Sequence, residues 1–209
     1  MSGSTVEFYF DITSPYSYLA ATQMGGFAER TGTDVQWKPV LLGGVFKAIG
    51  SGPPASIEPK ARYMLTDLDR WARRYGVELR FPSRFPLNTL KTQRALVAAE
   101  RLGHAERVPD FALALFDAYW AQNRDVSDLS EIVRIVEQVE LDPAAIADAM
   151  EQQATKDLLR DRTDDAVRRG AFGAPTFFIG EEMYFGNDRL EFVEERLRRG
   201  TDSLGGTPR

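Results

Sequence analysis

An aromatic strand that leads directly into a serine–proline helix start constrains the fold of this chain more than any other feature. Residues 6–10 read VEFYF, and this density of β-branched and aromatic side chains predicts a buried strand. Ser14 and Pro15 follow, which is typical of a helix N-terminus with a hydroxyl cap and a proline at the first helical position. Ser14 should therefore lie beside the unpaired N–H groups of a helix start, where an anion is favoured. The alternative is that Ser14 serves only as a helix cap.

The composition favours a globular protein. The chain has 209 residues, of which 43% are hydrophobic and 11% aromatic, enough for a full core. Its formal charge of −5 argues against nucleic acid as a partner, because phosphate binding needs a basic surface. No stretch approaches the roughly 18 apolar residues of a membrane span, so we expect no membrane association. The N-terminus lacks the pattern of a secretory signal, so we expect a cytoplasmic protein.

The absence of cysteine excludes several kinds of chemistry. The chain has no cysteine and one histidine, His104. It therefore has no disulfide, thiolate nucleophile, zinc–thiolate site or dithiol redox pair. One histidine cannot build a histidine metal site, so no metal is expected. Catalysis would depend on hydroxyls, amides, lysines, arginines and carboxylates, or on a reactive group that a cofactor brings.

Hydrophobic periodicity predicts two strand-containing segments separated by helices. A helix over residues 16–30 and a second strand over 34–40 complete a parallel β-α-β unit. Residues 176–185 predict an antiparallel hairpin that turns at 181–182 and leads into a final helix. Between these segments, helices are predicted over residues 60–75, 92–102, 108–121 and 155–169, and from Asp128 and Asp142 onward.

This order predicts an α/β fold with a thioredoxin-like mixed sheet and a large all-α insertion. Residues 1–50 and 165–200 are predicted to form a discontinuous thioredoxin-like domain. Residues 51–164 are predicted to form the helical insertion domain, and residues 201–209 a disordered tail.

Three separated segments carry a resemblance to one family. They are FYFD at residues 8–11 with SPYS at 14–17; KARY at 60–63 with DRWA at 69–72 and FP at 81–82; and FGAPT at 172–176 with GNDRL at 186–190. The chain resembles the 2-hydroxychromene-2-carboxylate isomerases and the kappa-class glutathione transferases, which belong to the thioredoxin-like superfamily of the DsbA-type oxidoreductases. The resemblance implies a DsbA/kappa-type fold and a homodimer.

The resemblance implies that Ser14 is the catalytic residue and that glutathione is the cofactor. In oxidoreductase relatives, residues 14–17 would read C-x-x-C, and serine at both ends removes that redox chemistry. Glutathione would supply the missing thiol. Ser14 would donate its O–H to the thiolate, and the helix N-terminus would add positive potential, which together lower a thiol pKa from about 8.5 toward neutrality.

The resemblance also implies where the glutathione backbone binds. Pro175 resembles the cis-proline that thioredoxin-like folds place opposite the active-site helix. A cis bond would direct the backbone N–H and C=O of Ala174 toward an extended peptide. Asn187 and Asp188 match positions that hold the glutamyl end of glutathione, with simple helix capping as the alternative.

Two further glutathione contacts are implied on the other side of the site. Lys60 matches a lysine that pairs with a glutathione carboxylate, and a solvated helix face is the alternative. Ser51 stands where relatives usually carry asparagine, so its contact with glutathione departs from the family pattern. For an aromatic substrate, Lys47 and Arg84 are candidate partners of the carboxylate and Phe85 and Trp71 are candidate ring contacts, with structural packing as the alternative for all four.

Three functions remain open at this point. The leading hypothesis is a glutathione-dependent cis–trans isomerase of the 2-hydroxychromene-2-carboxylate type, acting on a small unsaturated aromatic carboxylate in aromatic catabolism. The second is a kappa-class glutathione transferase that acts on electrophiles and consumes glutathione. The third is a non-catalytic thioredoxin-like module that binds a peptide against Pro175.

Overall fold

The centre of the molecule is a four-stranded mixed sheet. The structure is a computed structural model that describes residues 5–199. Strand β1 (Thr5–Phe10) pairs in parallel with β2 (Asp34–Pro39) on one side and antiparallel with β3 (Thr176–Ile179) on the other. Strand β4 (Glu182–Phe185) pairs antiparallel with β3 at the edge, so the order is β2-β1-β3-β4. The predicted mixed sheet is confirmed.

Aromatic side chains explain why β1 is the central strand. Phe8 and Phe10 are fully buried on one face of the sheet, with ring centroids 5.1 Å apart. Trp37 of β2 meets the Phe8 ring edge-on at 5.0 Å, and Phe177 of β3 stacks on it at 5.2 Å. Such pairs stabilise neighbouring strands because they add ring–ring contacts to the burial of apolar surface. The C-terminal end of β1, which leads to Ser14, is therefore held from both sides.

The helix predicted over residues 16–30 is two helices, and the prediction of one helix is wrong. Helix α1 covers Pro15–Ala21, and α2 covers Met24–Thr31. At the break, the Thr22 hydroxyl donates to the Leu19 carbonyl oxygen at 2.7 Å. A threonine side chain that bonds to a nearby carbonyl competes with the backbone hydrogen bonds of the helix. The break makes α1 a short helix of seven residues that begins at the Ser14 cap.

Within residues 5–199, eight further helices surround the sheet. Helix α5 is central among them, since it packs against its neighbours α6, α8 and α9. The Gln93 side chain, on α5, donates to the carbonyl oxygens of Phe10 at 3.0 Å and Val40 at 2.8 Å, which ties α5 to the ends of β1 and β2. The helices are α3 (Leu42–Ala48), α4 (Glu58–Tyr75), α5 (Leu90–Arg101), α6 (Val108–Trp120), α7 (Leu129–Gln138), α8 (Pro143–Glu151), α9 (Gln153–Arg168) and α10 (Leu190–Arg199), with short 3₁₀ turns at Pro54–Ser56, Ala105–Arg107 and Asn187–Arg189.

The helical segment and the sheet share one hydrophobic core. Phe10 of β1 contacts Phe116 of α6 with ring centroids 5.8 Å apart, and the Trp120 indole N–H donates to the Ile12 carbonyl oxygen at 2.8 Å. The division into a discontinuous domain and a helical insertion stays a prediction, and its boundary at residue 164 falls within α9. The predicted tail, residues 201–209, lies outside the described residues. No helix within residues 5–199 has the length and apolar character needed to cross a membrane.

Candidate active site

A large cleft opens where β1 ends and α1 begins. It measures about 1430 Å³, and its walls come from α1, α3, α4, the segment 85–90 and the loop around Pro175. Ligand sites for small molecules usually measure about 300–1,000 Å³. The cleft is therefore large enough for a peptide-sized ligand together with a second small molecule.

Ser14 lies in the wall of this cleft and joins two loops. It caps α1 in an extended conformation (φ −88°, ψ 116°), and its hydroxyl accepts the Ser17 N–H at 3.1 Å. The same hydroxyl donates to the carbonyl oxygen of Ala174 at 2.8 Å, across the cleft wall. A hydroxyl has one proton to donate, so Ser14 uses its only donor on Ala174 in this conformation. The predicted cap is confirmed, and Ser14 also contacts the loop that carries Pro175.

The loop opposite Ser14 contains the predicted cis-proline. The Ala174–Pro175 bond is cis, and both residues line the cleft. The Ala174 carbonyl accepts the Ser14 hydroxyl at 2.8 Å, and the contact of Ala174 with a bound peptide stays a prediction. The Pro175 carbonyl oxygen accepts the Gly186 N–H at 3.0 Å, which connects the loop to the turn at residues 187–189.

A buried carboxylate holds the cleft wall from behind. Asp11 is 1% exposed, and Oδ1 accepts the Thr13 N–H at 3.0 Å and the Thr89 hydroxyl at 2.7 Å. Oδ2 accepts the Leu42 N–H, the first of α3, at 2.7 Å. Burial raises the pKa of the Asp11 carboxyl, and the three hydrogen bonds oppose that rise. Asp11 therefore joins the Ser14 loop, α3 and the start of α5. The sequence reasoning gave this residue no role, although an acidic residue that ends an apolar strand is an unusual pattern.

Asn187 and Asp188 come to the same cleft. Asn187 is 2% exposed, and its side-chain Nδ2 is buried with no hydrogen-bond partner among the described residues. Its backbone carbonyl accepts the Tyr75 hydroxyl at 3.1 Å. Asp188 pairs with the adjacent Arg189 at 3.2 Å. The N-cap of this turn is Gly186, which has no side chain to form a capping hydrogen bond. Since buried amide groups in proteins almost always have a partner, Asn187 is a candidate donor to a ligand.

Four other predicted residues also line the cleft, and two do not. Ser51, Lys60, Trp71 and Phe85 lie in its wall, with Ser51 and Lys60 exposed to solvent. Lys47 is exposed on α3, but the cleft-facing residues of that helix include Leu42 and Phe46 instead.

Arg84 is the second predicted residue outside the cleft. It forms an ion pair with Asp125 on the outer surface, in a separate shallow depression. The expected contact of Lys47 and Arg84 with a substrate carboxylate is not supported by these positions. Among the described residues that line the cleft, Lys60 is the only cation.

Comparison with known proteins agrees with this geometry. The family model of the DsbA-like thioredoxin domain matches residues 5–198. A 2-hydroxychromene-2-carboxylate isomerase from Sphingobium xenophagum is 34% identical over 195 residues, which cover 92% of this chain and 97% of that protein. A solved structure of a 2-hydroxychromene-2-carboxylate isomerase superimposes with a TM-score of 0.84 at 30% identity, covering 97% of this chain and all of the other. The chain belongs to the 2-hydroxychromene-2-carboxylate isomerase family.

This isomerase family lies close to a second class of enzymes. The human protein named glutathione S-transferase kappa 1 is 28% identical in an alignment that covers 98% of this chain and 94% of that protein. These relatives carry the names of isomerases and glutathione transferases, and the chain is a member of a family of enzymes.

The cleft also contains an exposed aromatic pair that the sequence reasoning missed. Phe172 and Phe185 line the cleft with ring centroids 4.4 Å apart, and they are 44% and 40% exposed. A Cβ on Gly173 would lie 2.6 Å from the Phe185 ring, so glycine permits the close approach. Phe172 precedes β3, and Phe185 is the last residue of β4. No periodicity in the sequence marks them, because both lie outside regular helices and meet only through the hairpin.

Proposed function

We propose that this protein is a glutathione-dependent cis–trans isomerase that interconverts 2-hydroxychromene-2-carboxylate and trans-o-hydroxybenzylidenepyruvate in aromatic catabolism. The observation that supports it most is the position of the Ser14 hydroxyl, at the N-terminus of α1 and opposite the cis Ala174–Pro175 bond. Family membership supports the reaction class. The size of the cleft supports simultaneous binding of glutathione and an aromatic substrate.

The residues of the cleft fit glutathione. Its thiol, when bound, supplies the nucleophile that adds reversibly to the conjugated double bond of the substrate and lets that bond rotate. The unpartnered Asn187 amide and the Asp188 carboxylate match the carboxylate and ammonium groups of a glutamyl residue. Lys60 matches the carboxylate at the other end of the tripeptide.

The proposed role of Ser14 is to stabilise the thiolate. Its hydroxyl would turn from the Ala174 carbonyl toward the sulfur, because a thiolate is a charged acceptor and hydrogen bonds to charged groups are the stronger ones. The N-terminus of α1 adds positive potential at the same point. The aromatic pair of Phe172 and Phe185 offers ring contacts to an aromatic substrate at the mouth of the cleft.

The proposal is tested with purified protein, 2-hydroxychromene-2-carboxylate and glutathione. We expect an absorbance change that marks formation of the trans isomer, a strict requirement for glutathione and an unchanged total concentration of free glutathione after many turnovers. Ser14→Ala should abolish most of the rate. Asp128→Ala, which removes a helix cap on α7 far from the cleft, should retain it. An absence of isomerisation at every glutathione concentration would contradict the proposal.

A kappa-class transferase is the second candidate, and one observation favours it. Lys60 is the only cation among the described residues that line the cleft, and it is already assigned to glutathione. An uncharged aromatic electrophile needs no second cation, whereas an aromatic carboxylate gains from one. Incubation with a neutral halogenated aromatic distinguishes the two, because a transferase consumes one glutathione for each product formed.

The proposal also includes a cytoplasmic homodimer, whose mass in solution can be measured by light scattering.

A further inference from the structure

One wall of the cleft contains no residue that has been assigned to glutathione. The assigned residues lie at the start of α1, on α4 and in the loop before it, and in the two turns that follow α9. The segment of residues 85–90, just before and at the start of α5, also lines the cleft. Apart from Phe85, a candidate ring contact, its residues have no function yet. This wall is therefore available to a second molecule that reacts beside the thiol.

Two hydrogen bonds fix this segment to the loop that contains Ser14. The Leu87 N–H donates to the Thr13 hydroxyl at 3.2 Å. Two residues later in the chain, the Thr89 hydroxyl donates to the buried carboxylate of Asp11 at 2.7 Å. The residue between these two bonds is thus held against the loop from both sides.

That residue is Asn88, and its side chain offers an unused donor to the cleft. Asn88 is exposed and lines the cleft, and its Oδ1 accepts the Leu90 N–H at 3.1 Å. A carboxamide carries two N–H bonds besides its carbonyl oxygen, so Nδ2 points away from the Leu90 N–H. Within residues 5–199, Nδ2 has no hydrogen-bond acceptor. In contrast, the Tyr16 hydroxyl, which also lies in the cleft, already donates to Asp67 at 3.0 Å.

The proposed reaction develops negative charge where such a donor is useful. In trans-o-hydroxybenzylidenepyruvate, a ketone is conjugated with the double bond that has to rotate. Addition of a thiolate to the benzylic carbon forms a C–S bond, breaks the π bond and moves its electron pair onto the ketone oxygen. Reversal of this step after rotation expels the thiolate, so no further reactant is consumed. Donors that are already in place where charge develops lower the barrier of such a step.

The cleft has no second cation to meet this charge. Lys60 is the only cation among the described residues that line the cleft, and it is assigned to a glutathione carboxylate. A neutral amide can do the same work, because an N–H directed at a developing oxyanion forms a charge-assisted hydrogen bond.

We propose that Asn88 is a catalytic residue, whose side-chain N–H donates to the ketone oxygen of the substrate as negative charge develops there. Ser14 acts on the sulfur and Asn88 acts on the oxygen, at the two ends of one movement of electrons. Both belong to one hydrogen-bonded unit, because the neighbours of Asn88 are bonded to Thr13 and Asp11. This inference rests on the proposed isomerase function.

Two substitutions separate the donor from the bond at the start of α5. Asn88→Asp keeps an oxygen for the Leu90 N–H and removes the donor, whereas Asn88→Ala removes both. We expect each to lower kcat about hundredfold and to leave the Kd of glutathione, measured by calorimetry, within about twofold. The matched control is Asn123→Asp, at a residue whose Oδ1 accepts the Ser83 N–H outside the cleft. It should change neither value.

Three outcomes of this comparison overturn the inference. A loss of rate in Asn88→Ala alone would show that Asn88 only supports the start of α5. A loss in Asn88→Asp alone would show repulsion by the new carboxylate and not the absence of a donor. Wild-type rates in both variants would show that Asn88 takes no part in the reaction.

A second measurement needs no turnover. The peptide γ-glutamyl-α-aminobutyryl-glycine has an ethyl group in place of the CH₂SH of glutathione, so it fills the glutathione position without a thiol. In its presence, excess wild-type protein should shift the absorption band of trans-o-hydroxybenzylidenepyruvate to longer wavelength, because a hydrogen bond to the ketone stabilises the more polar excited state. Asn88→Ala should bind the compound with a smaller shift, and equal shifts would contradict the contact.

The two measurements also distinguish this inference from the proposed function. If the wild type isomerises the substrate and the Asn88 variants match it in rate and in absorption, only the role of Asn88 is wrong. If the wild type shows the absorption shift and Asn88→Ala loses it, but no isomerisation occurs, the proposed function is wrong and the contact of Asn88 with the ketone stands.

Discussion

The hydrogen bonds of Ser14 can be measured without any ligand, through the stability of Ser14→Ala. The substitution removes two interactions at once. One is the cap bond from the Ser17 N–H at 3.1 Å, and the other is the bond to the Ala174 carbonyl at 2.8 Å. Ser14 is 3% exposed and Ala174 is 8% exposed, so bulk water does not readily replace the hydrogen bonds that the Ser14 hydroxyl made.

The two losses set the expected size of the effect. Removing a helix cap costs about 1 kcal/mol, and losing a typical buried hydrogen bond costs about 1 kcal/mol more. We therefore expect the free energy of unfolding of Ser14→Ala to fall by about 2 kcal/mol. Asp128, whose carboxylate accepts the Ser130 N–H at 3.0 Å, caps α7 at the surface without a second partner of this kind. Asp128→Ala should therefore lose only about 1 kcal/mol.

Urea denaturation in the absence of glutathione measures both values. If Ser14→Ala is no less stable than Asp128→Ala, then the bond to Ala174 contributes nothing and the description of Ser14 as a bridge between the two loops is wrong. The result also determines how an activity measurement is interpreted. A domain of ordinary stability, about 5–15 kcal/mol, stays folded after a loss of this size, so lost activity in Ser14→Ala would reflect chemistry.

Two further predictions concern Asp11 and Arg84. The folded-state pKa of the Asp11 carboxyl is raised above 3.8, so its ionisation opposes folding. The wild type should therefore lose stability relative to Asp11→Asn as pH rises from below 3.8 through the folded-state pKa. If the difference in unfolding free energy between the two proteins stays constant over this range in urea titrations, the burial argument is contradicted. Arg84→Met should leave glutathione affinity and the KM of the aromatic substrate nearly unchanged, because Arg84 pairs with Asp125 outside the cleft. A several-fold rise in that KM would show that Arg84 contributes to substrate binding and would contradict the prediction.

The parts of the fold that local chemistry determines could be predicted from sequence. The aromatic run of β1 and the Ser14–Pro15 helix start both depend on neighbouring residues, and both are found where they were expected. The break between α1 and α2 was missed, because a threonine hydroxyl that bonds back to its own helix leaves the hydrophobic periodicity intact.

The candidate site was predictable only in part, because its partners are far apart in sequence. Arg84 forms an ion pair with Asp125, 41 residues later in the chain, and this contact holds the Arg84 side chain outside the cleft. Lys47 is excluded by the way α3 packs, which depends on tertiary contacts and not on its own sequence. Asp67 is oriented by Tyr16 across 51 residues, a pairing that no local pattern shows. The resemblance implied which residues are expected to contact glutathione, and the structure was needed to identify the residues that support them.

The most direct test of the account is the pKa of the glutathione thiol in the complex. Titration of the thiolate by its ultraviolet absorbance, with protein in excess, should give a value at least one unit below the roughly 8.5 of a free thiol. Ser14→Ala should raise the bound value by about one unit, which corresponds to about 1.4 kcal/mol, whereas Asp128→Ala should leave it unchanged. A bound thiol that titrates like free glutathione, or one whose pKa is the same in Ser14→Ala, would contradict the claim that Ser14 stabilises the thiolate.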